Sequence, residues 1–545
     1  MIYGSNNIFA QIEECLKEVG IKEDVELRYS NLDGVDIQCN TLLRVRESDV
    51  LNNVVDLLLK TLLQLDEVEN VEITDKYFIN IRFSNYYFEN FTKLDKANLI
   101  SSKAESILID YGGPNIGKDL HVGHIRTLNL GRSLYKINKL AGNDITSDIH
   151  FGDWGMPVAL IIAYGSKENL DLNSITYNDL ELIYPLANKL AKENEEFYNS
   201  AKNISKELNL KNVDYIKLWR IIYDLAIPNI KNLLFKLGHE FDWYFGESDV
   251  VDEVIEVVEK AKKENKVVED GGAFVSNEKN DPPILITKSD GSFLYLTTDL
   301  GTVLYRERKQ DFDKYIYVVD NRQKNHFEQL FSTVKFFDIS DKTFLHVGFG
   351  TVNGPGNKPF KTRDGGVYKL EYLFSDIQSK LQEFNSDLEV LDILTNTVIT
   401  YSDLLSSRLQ NYIFDIDKFT DINGKTGIYI QYSQVRAKKI LSDIENSSNN
   451  FQITNLNSDE RELCLLISKF TYFFNLSLKN NEPHHLAEYA FNLCQSFNTF
   501  YARNKILSNE IGNKEKEKRT LIVQNFHDTL LVVLTCLGIK PVPYM

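Results

Sequence analysis

The residues best placed to do chemistry are the seventeen from Asp110 to Arg126, Asp-Tyr-Gly-Gly-Pro-Asn-Ile-Gly-Lys-Asp-Leu-His-Val-Gly-His-Ile-Arg. An apolar run, Ile107-Leu108-Ile109, leads into them and reads as a buried strand. A Gly/Pro/Asn loop follows. His121-Val122-Gly123-His124 then opens a helix expected to run through Lys139. Strand, glycine turn and helix N-terminus in that order make an anion site, because unpaired backbone N–H groups and the helix dipole face the ligand. His121 and His124 add side-chain donors where phosphate charge would sit. Gly123, lacking a Cβ, lets a flat base or ribose approach the backbone. The corner suits binding and transferring a nucleotide. Either histidine alone would read as a helix cap or a core residue.

A second phosphate element is expected in the basic, glycine-rich stretch Gly354-Pro-Gly-Asn-Lys-Pro-Phe-Lys-Thr-Arg-Asp-Gly-Gly366. A loop carrying Lys358, Lys361 and Arg363 can close over a triphosphate and offset charge on the α-phosphate and the departing pyrophosphate. Alone, such a loop is as readily a solvated surface segment.

Together the two stretches resemble class I aminoacyl-tRNA synthetases. His121–His124 resembles their HIGH signature, with valine at the second position. The basic loop resembles their KMSKS loop in a KPFKTR form, with Lys361 at its second lysine. Pro114-Asn115-Ile116-Gly117-Lys118 before the signature and Gly152-Asp153-Trp154-Gly155 after it narrow the resemblance to the arginyl-tRNA synthetase family. That resemblance implies a Rossmann-like parallel-sheet α/β catalytic core with a helical insertion. It also implies a small N-terminal α/β domain and an all-helical C-terminal anticodon-binding domain. The implied reaction activates L-arginine with ATP, with Mg²⁺ accompanying the nucleotide, to arginyl-adenylate and pyrophosphate. Arginine then passes to the 3′ end of tRNA(Arg), with bound tRNA acting as co-activator of the first step.

Carried over residue by residue, the resemblance gives His121, His124, Lys118 and Lys361 catalytic roles. Gly123 and Lys358 would contact ATP, and His326 either lines the adenosine site or is structural. Asn115 and Glu247 would hold the substrate amino acid. Tyr295 and Asp299 would grip its guanidinium, with a further contact from Gln323. A guanidinium is a planar fork best held by carboxylates. Tyr295 and Asp299, four apart, share one helix face, although spacing alone also fits an ordinary acidic first turn. Asp153 and Trp154 are expected to shape the core. Tyr429, Tyr432 and Arg436 line one helix face, and aromatic rings with a guanidinium suit stacking on unpaired bases. Spacing alone fits core packing there, and the resemblance is what places tRNA on this helix.

The elements that must hold these residues divide the chain. Residues 1–100 read as a small α/β module, with an amphipathic helix at Ile8–Val19, a second helix over Val50–Leu65 and a strand at Tyr77–Phe83. From 101 to 380, short β-rich runs (Ser106–Ile109, Ile284–Thr287, Tyr315–Val319, Phe344–Val347) alternate with helices, as in a parallel sheet. A charged helical insertion occupies about 166–236. From 381 to 545 strand signals vanish and amphipathic helices continue.

The net charge of −17 argues against a general nucleic-acid binder, but its distribution softens that objection. Residues 391–545 carry 16 basic and 16 acidic side chains, so the whole acidic excess lies before them. Five cysteines without a CxxC pair exclude a zinc ribbon and a disulfide framework, and no protein metal site is expected. The start of the chain lacks a basic n-region, and the apolar run Leu530–Cys536 is too short to span a bilayer. A cytoplasmic monomer, free of membranes, is expected. Two rivals stand beside this reading. One is a class I synthetase for another amino acid, which the carboxylates Glu247 and Asp299 disfavour. The other is a tRNA-binding regulatory paralogue, which intact His121, His124, Lys118 and Lys361 disfavour.

Overall fold

The computed structural model describes residues 5–45, 48–100, 103–278, 283–360, 368–443 and 453–545. Lys361 and Arg363 of the basic loop lie outside the described residues. Two compact units form: Ser101–Asp417, and Met1–Ile100 together with Lys418–Met545.

The first unit is built on five parallel strands: β1 (Ser106–Tyr111), β2 (Asp144–Phe151), β3 (Trp243–Gly246), β4 (Lys314–Val318) and β5 (Thr343–His346). Helices cover both faces of such a sheet, which is why Ile107-Leu108-Ile109 is a continuous apolar run rather than an alternating one; all three side chains are buried. The order β5-β4-β1-β2-β3 is that of a doubly wound Rossmann-like fold. Strand order reverses between β1 and β4, and ligands bind outside the carboxyl ends of the strands at such a switch point. His121 follows β1 and Gln323 follows β4, so both lie beyond the carboxyl ends of neighbouring strands.

The helix after β1 begins later than expected. A 3₁₀ turn, Val122–His124, precedes α1 (Ile125–Leu140), because His121 and His124 cap one another. The insertion is helical, as expected: Tyr177–Glu193, Glu195–Asn209 and Val213–Lys236. The run at Ile284–Thr287 is a correction. Its strand, Leu285–Thr287, pairs antiparallel with Ala273–Ser276, which pairs with Val267–Asp270 in a separate three-stranded sheet. Gly271 and Gly272, both at positive φ, close the first hairpin, and local pairing through that turn captures the strand.

The first unit also extends beyond residue 380. The helix Leu388–Leu404 is buried along nearly its whole length and packs on α1. Arg126 of α1 pairs with its Asp403 at 3.0 Å, with both side chains almost fully buried. A short strand, Tyr412–Ile413, then pairs in parallel with Val352–Gly354.

In the second unit, four antiparallel strands run in the order Leu27–Tyr29, Ile37–Cys39, Ile79–Phe83, Val68–Ile73. They join a helical bundle through Arg461. Its guanidinium holds Asp36 at 2.9 and 2.6 Å and donates to the Phe83 carbonyl. The last helix, Asn513–Leu537, is long and apolar enough by length and composition to cross a membrane, but its apolar window lies mostly inside the bundle. It packs there on Gly427–Ser442 and His484–Arg503.

Candidate active site

The nucleotide corner is shaped by hydrogen bonds within His121–His124. Nδ1 of His121 accepts from the Gly123 amide at 3.0 Å, and Nδ1 of His124 accepts from the His121 amide at 3.1 Å. The His121 ring therefore carries its proton on Nε2, the atom left for a ligand, while Nδ1 of His124 also lies 3.3 Å from the His121 carbonyl. Burial pushes His124 down to about 3; burial and then the nearby Lys118 lower His121 as well. Both rings are neutral donors at physiological pH, so positive charge at the phosphates must come from lysines. Gly123 is a glycine chiefly for its neighbour: a Cβ there would lie 2.6 Å from Cε1 of His121.

Lys118 is exposed, its ammonium 5.4 Å from the centre of the Tyr184 ring of the insertion. Lys358 is exposed on a two-residue strand paired with Val352–Gly354. Where the chain continues past the basic loop, it is stitched to the histidine loop. The Val122 amide donates to the Tyr368 carbonyl, and the Leu370 amide to the Leu120 carbonyl. Lys369 between them sits 2.7 Å from both Asp119 and Glu181.

Asn115 is held beside β2, where Gly152 donates to the Pro114 carbonyl and accepts from the Ile116 amide. A Cβ on Gly152 would fall 1.9 Å from Oδ1 of Asn115, so the glycine makes room for that side chain. The next residue, Asp153, is fully buried and accepts from the amide and hydroxyl of Ser248 at 3.0 and 2.5 Å. Asp153 thus fixes the turn that carries Glu247. Trp154 is the expected packing anchor, edge-on to Trp219 at 5.3 Å with its indole N–H on Asn209. Burial pushes the Glu247 carboxyl up to about 8, with Asp153 and Asp299 adding to the effect.

Helix α2 (Tyr295–Lys309) supplies the opposite wall, and α3 (Lys324–Phe336) flanks it. A cavity of about 780 Å³ is lined by Trp154, Glu247, Tyr295, Thr298, His326 and Gln329 among others. Tyr295 stands 73% exposed at the first residue of α2. Asp299, one turn on, accepts a 2.6 Å hydrogen bond from Nε2 of His326. Gln323 is exposed on the 3₁₀ turn Asn321–Gln323 and is not among the cavity-lining residues. The structure therefore brings Glu247, Tyr295 and His326 to one cavity and joins Asp299 to it through His326, while Asn115 and Gln323 are not among its lining residues.

Sequence reasoning missed the ion cluster beneath this wall. Arg306, at the far end of α2, bonds Asp110 of β1 and Asp148 of β2 at 2.5 Å each. Asp110 is the penultimate residue of β1, Asp148 lies in the middle of β2, and Arg306 is 1% exposed. In sequence it is one of several basic residues in a last helical turn, which is where a cation is favoured without any partner.

In the second unit, the helix Gly427–Ser442 keeps Tyr429 half-buried against Phe491 and Tyr432 exposed. The Arg436 guanidinium lies between two rings, 4.5 Å from Tyr432 and 4.7 Å from Tyr501. It also donates to Asn498 and to the Tyr432 hydroxyl. Tyr501 was not foreseen as part of this stack. One group of potential metal ligands occurs among the described residues: Glu482, His484 and His485, donor atoms within 4.8 Å of one another. It belongs to this second unit, not to the nucleotide corner.

The family model described as tRNA synthetases class I (R), catalytic domain, matches residues 91–416, and the DALR anticodon binding domain matches 430–545. An arginine–tRNA ligase of Agathobacter rectalis is 34% identical over 539 residues, with 90% of each chain covered. One from Alkaliphilus oremlandii is 34% identical over 521 residues, covering 88% of each. The crystal structure of arginyl-tRNA synthetase from Plasmodium falciparum shares the fold, with a TM-score of 0.81 at 24% identity and full coverage of both chains. The Thermus thermophilus enzyme superposes with a TM-score of 0.79 at 18% identity, covering 99% of this chain and 100% of its own. The chain belongs to the arginyl-tRNA synthetases of class I.

Proposed function

We propose that this arginine–tRNA ligase holds L-arginine between Asn115 and Glu247 at one end and Tyr295 and Asp299 at the other, with Gln323 reaching in only if its turn moves. The observation that carries this reading is the placement of two carboxylates about one cavity at the switch point, one of them on the α2 face that Tyr295 begins. A cationic substrate would supply a counter-charge to Glu247 and Asp299, and Glu247, pushed up to about 8, would lose its proton as that cation binds. Lys202, Lys206 and Lys288 line other parts of the cavity wall.

ATP, arriving with Mg²⁺ as its own counter-ion, would lie along Gly123 with its phosphates facing Nε2 of His121 and His124. Lys118, Lys358 and Lys361 would offset the charge that grows as pyrophosphate departs. The arginine carboxylate attacks the α-phosphorus in line. Neutral imidazole donors and lysines favour that step by positioning and by electrostatic stabilisation rather than by a covalent intermediate. The arginyl group then passes to a 3′-terminal ribose hydroxyl of tRNA(Arg).

Substrate analogues test the carboxylate pocket. Citrulline, which has the shape of arginine without its charge, and lysine, which has the charge without the fork, should each support esterification at least a hundredfold less well than arginine. Comparable use of citrulline would show that Asp299 and Glu247 do not read the guanidinium.

For tRNA, the Tyr432–Arg436–Tyr501 stack offers flat faces for unpaired anticodon bases. Base stacking on such a platform is worth about 1–3 kcal/mol per base. Arg436→Ala should therefore raise the KM for tRNA by roughly tenfold while the KM for arginine holds. An unchanged tRNA KM would show that this face only packs the bundle.

A further inference from the structure

We infer that His326 is a positioning residue whose protonation competes with the substrate guanidinium for the carboxylate of Asp299. The inference rests on the reading of Asp299 as the guanidinium ligand and adds a control of that same site. A carboxylate only accepts, so the 2.6 Å contact puts a proton on Nε2 of His326 in every ionisation state. What titrates is Nδ1. With Nδ1 empty, the ring is a neutral donor that occupies Oδ2 of Asp299 and leaves Oδ1 for the incoming fork. With Nδ1 protonated, the imidazolium already neutralises the carboxylate and stands beside the place where a second cation must enter.

The geometry is specific to this ring. His326 is part-buried on the cavity wall, and its hydrogen bond to Asp299 raises its affinity for a proton against the opposing effect of burial. Lys202, Lys206 and Lys288 line the same cavity, Lys202 lying 3.8 Å from Asp290. The charged groups flanking the pair are engaged elsewhere. Arg306 on α2 is engaged by Asp110 and Asp148. Arg322 on the 3₁₀ turn pairs with Asp320, and Lys324 on α3 lies 3.6 Å from Glu328. On β5, His346 faces the Val319 carbonyl at 3.0 Å, and on β4 the Tyr317 hydroxyl meets Arg306. On the turn opposite, burial pushes Glu247 up to about 8 and Asp153 beneath it up to about 6, and it raises Asp110 and Asp148 around Arg306 as well.

The sign follows from linkage. Arginine bound at Asp299 disfavours the imidazolium, so binding releases a proton from His326, and by reciprocity acid must weaken arginine capture. Below the pKa of His326, the KM for arginine should climb toward tenfold per pH unit. Release of the Glu247 proton adds a separate dependence at higher pH.

The test measures the KM for arginine in tRNA esterification, at saturating ATP and tRNA, from pH 8.0 to pH 5.5. The wild-type enzyme should show the rise toward acid. His326→Gln keeps a neutral donor that cannot titrate, so the ratio of its KM at pH 5.5 to its KM at pH 8.0 should fall to near one, whatever the KM at pH 8.0. His326→Leu should raise the KM across the whole range. Glu247→Gln should keep the acid rise. A wild-type KM that is flat, or an acid rise that survives in His326→Gln, would overturn the inference. Asp299→Asn separates that failure from failure of the underlying reading: a normal arginine KM in this variant would mean that Asp299 is not the ligand at all.

Discussion

Asp299→Ala is expected to remove arginine activation while ATP and tRNA still bind. Truncating one partner of a desolvated, hydrogen-bonded charge pair costs about 2–5 kcal/mol, which corresponds to roughly a 30- to 5,000-fold loss in kcat/KM for arginine. The loss should appear only when arginine is varied. The nucleotide corner lies on β1 and the histidine loop, whereas Asp299 lies on α2, and no described hydrogen bond of Asp299 reaches that corner. The same variant also frees His326, so any residual arginine KM should lose its acid dependence. Normal arginine kinetics would remove the main support for this substrate assignment.

The second large effect is expected at Arg306. Its guanidinium is enclosed with two carboxylates, and Asp148 is fully buried. Burial raises the proton affinity of both Asp110 and Asp148, and Arg306 is the chief force opposing that rise. Removing one partner of a buried ion pair leaves an uncompensated charge and costs about 3–5 kcal/mol. Arg306→Met should lower the stability of the first unit by that amount, read from thermal or denaturant unfolding. Adding Asp110→Asn and Asp148→Asn should restore most of the loss, because the stranded charges are then gone. Arginine turnover should fall as well, since α2 carries both Arg306 and Asp299. An Arg306→Met enzyme as stable as wild type would show that the cluster is solvated.

These two residues mark what the sequence made legible and what it did not. That Asp299 and Tyr295 share a helix face was readable from their four-residue spacing, whereas the link to arginine came only from the family resemblance. The histidine loop was readable for the same reason: strand, turn and helix start follow each other within twenty residues. Arg306 was not readable, because its partners lie on β1 and β2, more than 150 residues away. The Asp153–Ser248 bond that fixes the Glu247 turn spans 95 residues and was equally hidden. So was the His326–Asp299 contact, in which both residues had been noticed for separate roles.

Strand pairing shows the same limit. Short apolar runs announced strands near Ile107 and Tyr315 in the right sheet. An equally plausible run at Ile284–Thr287 went to a different sheet, because a glycine hairpin upstream offered it a nearer partner. Beyond residue 380, periodicity identified helices but gave no sign that Leu388–Leu404 packs on the catalytic sheet's own helix α1. That depends on Arg126 and Asp403 meeting across a wide sequence gap. For Lys361 the motif gives an expectation that falls outside the described residues, and mutation to Ala beside Lys118→Ala is the direct way to divide their labour.

The most direct test of the account is ATP–pyrophosphate exchange with each of the twenty amino acids in turn, with and without total tRNA. The account predicts exchange with arginine alone, and only when tRNA is present. Exchange driven by a different amino acid, or silence in every condition by an enzyme that still binds tRNA, would contradict it.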